Sequence, residues 1–196
     1  MRRLILASQS PARLNLLRNA GFAPEVIVSG VDESGATGTP SEIALELAQL
    51  KCRAVVATEA AAGAVVIGCD SVLELDGVAY GKPKDAADAV TRWQLMAGRT
   101  GVLRTGHCIV DSVTGQEVSA VASTAVRFGT PSEDEVAAYV ASGEPLVVAG
   151  AFTIDGRGSL FVEGLDGDHT NVIGLSMPLF RSLLSQLGIP AVSLWP

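Results

Sequence analysis

At 196 residues, with 48% hydrophobic and 18% charged side chains, the chain has the balance of an ordinary globular protein and enough length for a substantial core. Its formal charge of −7, with no run of Lys or Arg, excludes a surface built for nucleic acid. An anionic ligand must therefore be met by a few local cations.

The chain opens with a short apolar strand, Leu4 to Ala7, followed by a helix from Pro11 to Ala20 that Ser10 caps and Gly21 closes. A strand is expected from Glu25 to Ser29. Beyond a glycine-rich acidic loop, Gly30 to Gly38, a long helix runs from Pro40 to about Ala62, with Thr39 and Glu42 forming a capping box. The run AVVIGCDSVLEL, Ala64 to Leu75, has the composition of a buried strand, and Asp76-Gly77 is a hairpin turn returning through VAYG. Asp85 starts a helix that ends before Gly98. GVLRTGHCIVD pairs through Thr114-Gly115 with EVSAVASTAVRFG, and Thr130 and Glu133 form the capping box of a helix from Pro131 to Ser142. The stretch from Ala149 to Ser176, rich in Gly and β-formers, predicts hairpins and loops, with Asp155-Gly156 as the strongest turn signal; a last helix spans Met177 to about Leu187. Helices alternating with long hairpins predict an α/β fold with a mixed sheet.

Cys52, Cys69 and Cys108 are far apart, form no C-x-x-C and lie in apolar runs, so they are expected to be reduced core residues of a cytoplasmic protein. The apolar run ahead of Ser8 is too short for a signal peptide, and no stretch approaches membrane-spanning length, so no membrane partner is expected.

Asp70 interrupts an otherwise apolar run. Either it ends the strand, with Ser71 beginning a turn, or it is a functional carboxylate; the resumption of the run as VLEL favours the second. Lys82, between Gly81 and Pro83, reads equally well as a solvated turn lysine or as a point charge for a phosphate. Asp32-Glu33 alone is an ordinary acidic loop. His107 and His169 lack zinc-site spacing, and His107 is most simply a hydrogen-bonded structural residue. Arg13 is conspicuous because it occupies the N3 position where the other two capped helices have Glu, at a cost of about 0.3 to 1 kcal/mol against the helix dipole. Walker, dinucleotide and G-x-S-x-G signatures are absent. The remaining mixture of Arg13, Lys82, Glu33 and Asp70 suits a triphosphate with a divalent cation.

Five blocks in order, LILASQSPARLNLL, VDES, LELAQLKCRAV, GCDSVLELDGVAYGKPKDAADA and SGEPLVVAGAFTIDGRGSLFVEGLDGDHTNVIGLSM, resemble the Maf family of nucleoside triphosphate pyrophosphatases over essentially the whole chain. The resemblance implies a single Maf-like domain over residues 1–196, two lobes around a cleft as in the inosine triphosphatase group, and hydrolysis of the α–β phosphoanhydride of a nucleotide. It also implies a divalent metal cofactor, Mg or Mn, held by Glu33 and Asp70, a nucleoside triphosphate partner, and a homodimer as a possible assembly. Asp70 matches the proton acceptor for the attacking water, with Lys82 and Glu33 as further catalytic groups. Ser8, Arg13, Lys51, Ser71 and Asp155 match substrate-binding positions, which gives Arg13 a substrate phosphate as its anion. Ala12 stands where the family has a first arginine, and Asp155 where Gln or Glu separates its substrate classes. The alternative is a catalytically weak nucleotide-binding regulator, since the family is also linked to cell-division arrest.

Overall fold

The computed structural model describes residues 2–196, which form strands β1 (Arg3–Leu6), β2 (Glu25–Val26), β3 (Ala64–Leu75), β4 (Val78–Tyr80), β5 (Thr100–Asp111), β6 (Glu117–Phe128) and β7 (Val162–Asp166). Between and after them lie helices α1 (Pro11–Asn19), α2 (Pro40–Val56), α3 (Ala86–Met96), α4 (Glu133–Ala141), α5 (His169–Ile173) and α6 (Met177–Gln186). The strands form one mixed sheet in the order β2-β1-β3-β5-β6-β7, with β4 paired to the far end of β3. β1 runs parallel to both β2 and β3, and the other pairings are antiparallel. The expected mixed α/β sheet is therefore present.

Local chemistry accounts for most of the boundaries. Ser10 accepts the Arg13 N–H and Pro11 opens α1, while Thr39 and Glu42 complete their capping box at α2. The corresponding box at α4 is displaced by two residues from the expected Thr130–Glu133 pair: Ser132 caps the helix with Glu135. α2 stops at Val56, short of Ala62, where the Thr58 hydroxyl donates to the Val55 carbonyl and the chain passes into a 3-10 turn, Glu59–Ala61. β2 has two residues in place of the expected five. The Asp155-Gly156 hairpin is absent: the segment joins two 3-10 turns, Ala149–Ala151 and Arg157–Phe161, and Gly156 has φ of −134°, outside the geometry of a primed turn.

Three long strands, β3, β5 and β6, carry separate apolar cores along their length. Near one end, Leu4, Leu6, Val65, Ile67 and Cys69 pack under α1 and α6 on one face, and Ile5, Val66, Cys108 and Val110 under α2 on the other. Towards the other end, Leu73, Leu103, Val126 and Phe128 pack with Trp93 and Tyr139 from α3 and α4. Between these two lobes the sheet has a polar waist, where Asp70 is registered with Gly106 and Ser71 with Thr105. Helix α2 crosses it at unusually close range. A Cβ on Gly106 would lie 2.1 Å from the Ala44 carbonyl oxygen, and one on Gly68 would lie 2.5 Å from that of Ala48.

His107, fully buried in β5, ties the waist to α6. Its Nε2 accepts the backbone N–H of Ser176, the α6 N-cap, so its Nδ1–H donates to the Thr105 carbonyl. Burial lowers its pKa from the ordinary value to about 4, and it is neutral in the fold. The expected structural histidine is borne out.

Two outcomes follow from these contacts. Gly106→Ala should lose about 1–3 kcal/mol in urea denaturation because its methyl meets helix backbone that cannot rotate away, whereas Gly35→Ala, with open space around it, should stay within about 0.5 kcal/mol. For His107, the unfolded chain takes up a proton near pH 6.5 that the native chain refuses until about pH 4. Its contribution to stability is thus intact above pH 6.5 and falls by about 3 kcal/mol as pH drops to 4. The difference between wild-type and His107→Gln stability curves over that window measures it.

Candidate functional site

Asp70 does not end its strand; β3 continues through it for five more residues. Its side chain is only 12% exposed, and its partner comes from α2, where Lys51 Nζ lies 2.5 Å from Asp70 Oδ1. The same ammonium is 2.8 Å from Glu33 Oε1, on the loop before α2. Lys51 thus holds two carboxylates distant in sequence. Asp70 Oδ2 accepts no hydrogen bond from the described residues. Burial raises the Asp70 pKa above the ordinary carboxylate range, the charges of Lys51 and Arg13 oppose the rise, and Glu33 adds to it. The result is a carboxylate more basic than usual with one free oxygen.

Arg13 is buried and bonds to the residues on either side of Asp70. Its Nε donates to the Gly174 carbonyl (2.7 Å), Nη1 to the Cys69 carbonyl (2.9 Å) and to Ser8 Oγ (3.2 Å), and Nη2 to Ser71 Oγ (3.1 Å). Four of the five guanidinium N–H groups are therefore taken by neutral acceptors, and none of its nitrogens lies within 4 Å of a carboxylate among the described residues. Gly174 makes room for it, since a Cβ there would come within 3.3 Å of Arg13 Nε. The N3 cation, expected to meet a substrate phosphate, is held by protein oxygens on β3, at Ser8 and at the α5 terminus, with one N–H left over.

Ser71 belongs to the same network. Thr105 Oγ1 is 2.9 Å from Ser71 Oγ and donates to the Asn171 carbonyl (3.3 Å), so the Ser71 hydroxyl accepts from Arg13 and donates to Thr105. Ser8 accepts from Ser10 N–H and Arg13, keeping its own proton to give. Thr105 and Asn171 were missed in the sequence. The polar trio Thr105-Gly106-His107 inside an apolar strand is the same kind of signal as Asp70, whereas nothing in the pattern around Asn171 marks it as buried.

Lys82 and Asp155 stand apart from this cluster. Both are exposed, and neither forms an ion pair or side-chain hydrogen bond among the described residues. The turn that carries Lys82 is nonetheless fixed. Arg92 Nη1 donates to the Gly81 carbonyl (2.5 Å), which also receives the Gly150 N–H (3.0 Å), and Arg92 Nη2 reaches the Lys82 carbonyl (3.3 Å). The Lys82 turn is thereby bonded to the segment leading to Asp155.

Other chemistries find no support. All three cysteines are free and buried, and burial pushes the Cys69 thiol up to about 12, so no thiolate is available beside Asp70. Among the described residues no three His, Cys, Asp or Glu side chains gather as a metal cluster, and no helix is long and apolar enough to cross a membrane. Glu33 and Asp70, both in contact with the Lys51 ammonium, nevertheless have the hard oxygen donors that a divalent cation takes.

Fold and site together define a mixed α/β protein with a carboxylate–lysine centre buried at the waist of its sheet. The family model described as Maf-like protein matches residues 3–187, and the chain belongs to that family. It is 64% identical over 195 residues to a Streptomyces coelicolor protein named nucleoside triphosphate pyrophosphatase, covering 99% of this chain and 95% of that one. A Cyanothece protein of the same name is 48% identical over 196 residues and the full length of both. The solved Staphylococcus aureus Ham1 protein aligns over 95% of this chain and 100% of its own at 15% identity, with a TM-score of 0.49.

Removing the Lys51 charge takes away the strongest force holding the Asp70 pKa down. Lys51→Gln is therefore expected to raise the Asp70 pKa further, seen as an upward shift of its carboxyl ¹³C titration midpoint; an unmoved midpoint would mean that Lys51 does not govern it.

Proposed function

We propose that the chain hydrolyses nucleoside triphosphates to nucleoside monophosphate and pyrophosphate. The observation that carries this reading is Asp70, a carboxylate made more basic by burial, held at one oxygen by Lys51 and open at the other. Water attacks the α-phosphorus, its proton passes to Asp70 Oδ2, the bond from the α-phosphorus to the α–β bridging oxygen breaks, and pyrophosphate leaves. The names of the relatives agree with this reaction.

Each remaining residue has a role that its setting supports. Lys51 has three N–H groups, two of which face Asp70 and Glu33, leaving the third for a phosphate oxygen. Lys82, exposed on a fixed turn, is a point charge for the departing pyrophosphate. Ser8 donates its hydroxyl proton to a phosphate oxygen, while Arg13, bonded to the Cys69 carbonyl and the Ser71 hydroxyl, holds β3 and contributes positive charge. Glu33 and Asp70 would hold a Mg or Mn ion, whose chemistry when bound is to neutralise phosphate charge. Asp155, an acceptor only, suits a base edge with two N–H donors such as that of guanine.

Asp70→Asn keeps the shape but cannot take a proton. Pyrophosphate release is expected to fall by about 10² to 10⁴ while nucleotide binding, followed by calorimetry, survives. Near-wild-type turnover in a folded variant would return Asp70 to a structural role. A wild type that binds nucleotides without releasing pyrophosphate would favour a binding regulator instead.

A further inference from the structure

Glu144 opens the 3-10 turn after α4, and four donors converge on its carboxylate. Oε1 accepts from the Thr153 hydroxyl (2.6 Å), the Gly158 N–H (3.0 Å) and the Tyr139 hydroxyl (3.1 Å), and Oε2 accepts from the Arg157 N–H (3.0 Å). Three of these donors belong to the loop 153–158, which has no strand pairing of its own. The loop wraps closely, since a Cβ on Gly156 would lie 2.7 Å from Glu144 Oε2 and one on Gly158 would lie 2.5 Å from the Tyr139 oxygen. Asp155, exposed, sits between the two anchored ends. Upstream, Gly150 is bonded to the Lys82 turn and the Ala151 carbonyl to Trp93 Nε1.

We infer that Glu144 is a positioning residue for base recognition: by clamping both ends of the loop 153–158 it fixes Asp155 at the angle from which a nucleobase edge is read. This rests on the hydrolase reading above. A carboxylate suits the task because it is acceptor-only and its two oxygens accept several donors at once. Burial pushes its pKa up, but the hydrogen bonds from Thr153, Arg157, Gly158 and Tyr139 outweigh that and hold it at about 2, so it remains an acceptor across the working range. Without it, the Arg157 and Gly158 N–H groups lose their partner and the loop its shape.

In Glu144→Gln an amide N–H₂ replaces one oxygen and opposes a backbone N–H. The probes are the common ribonucleoside triphosphates, with inorganic tripolyphosphate as a competitor that has no base. The ratio of kcat/KM between best and worst nucleotide should fall at least about fivefold, carried by KM for the best one, with kcat within about twofold. The tripolyphosphate inhibition constant should not move. Asp155→Gln should alter the same ratio, and combining the two should add little beyond either. If Glu144→Gln does not fold, Thr153→Val carries the test and Thr153→Ser should restore the wild-type ratio. Unchanged selectivity in a variant that only melts earlier would overturn the role assigned to Glu144 and leave the hydrolase reading intact. A wild type that releases no pyrophosphate from any of the nucleotides would overturn the hydrolase reading itself.

Discussion

A negative charge in the middle of a central strand is the constraint around which the site is arranged. An isolated carboxylate at such a position would cost several kcal/mol in lost hydration, and the chain does not avoid this by ending the strand. It answers with two cations of different kinds. Lys51 makes direct contact from α2, and Arg13 acts at a distance from the α1 side. Because desolvation outweighs both, Asp70 is left with a raised pKa, so the burial that strains the fold also makes the carboxylate a better base.

Each cation needs its helix at a particular depth. Lys51 reaches Asp70 because α2 lies almost in contact with sheet backbone, which is possible only where β3 and β5 present Gly68 and Gly106. The glycine opposite Asp70 is thus as much part of the centre as the lysine. Arg13 is fixed by acceptors on β3, on the Ser8 loop and at the end of α5, and so ties three elements together. Its positive charge is spent on neutral oxygens, so its field remains available to Asp70.

Much of this was legible from local sequence. The long strands follow from runs of β-branched residues, the caps of α1 and α2 from Ser10 and Thr39, and Asp70 from the misfit of a carboxylate in an apolar run. The α4 cap was misplaced because Thr130 and Ser132 are both good caps followed three residues later by Glu, and local chemistry alone does not choose between them. The Asp155-Gly156 turn failed for a different reason. Hairpin geometry needs a partner strand, and here the loop's hydrogen bonds go to one distant carboxylate, Glu144, which no periodicity reveals. Arg13 stood out in the sequence by its N3 position, but its protein acceptors, two carbonyls and the hydroxyls of Ser8 and Ser71, are scattered over the chain and no local pattern shows them.

The charge count at the centre bears on how so acidic a protein takes a polyanion. Asp70 and Glu33 contribute two negative charges, and Lys51 and Arg13 two positive ones, leaving the waist close to neutral while the whole chain carries −7. Such a centre neither draws in nor strongly repels a bare triphosphate, whose own charge is about −4. On the proposed reading, attraction must therefore come from outside the centre, from cations such as Lys82, which is exposed and has no carboxylate partner among the described residues, and from neutralisation of the phosphates before they meet Glu33 and Asp70. On that reading, a neutral, rigid interior with an exposed cation on an anchored turn favours a substrate already matched in charge over a polyanion that merely fits the cleft.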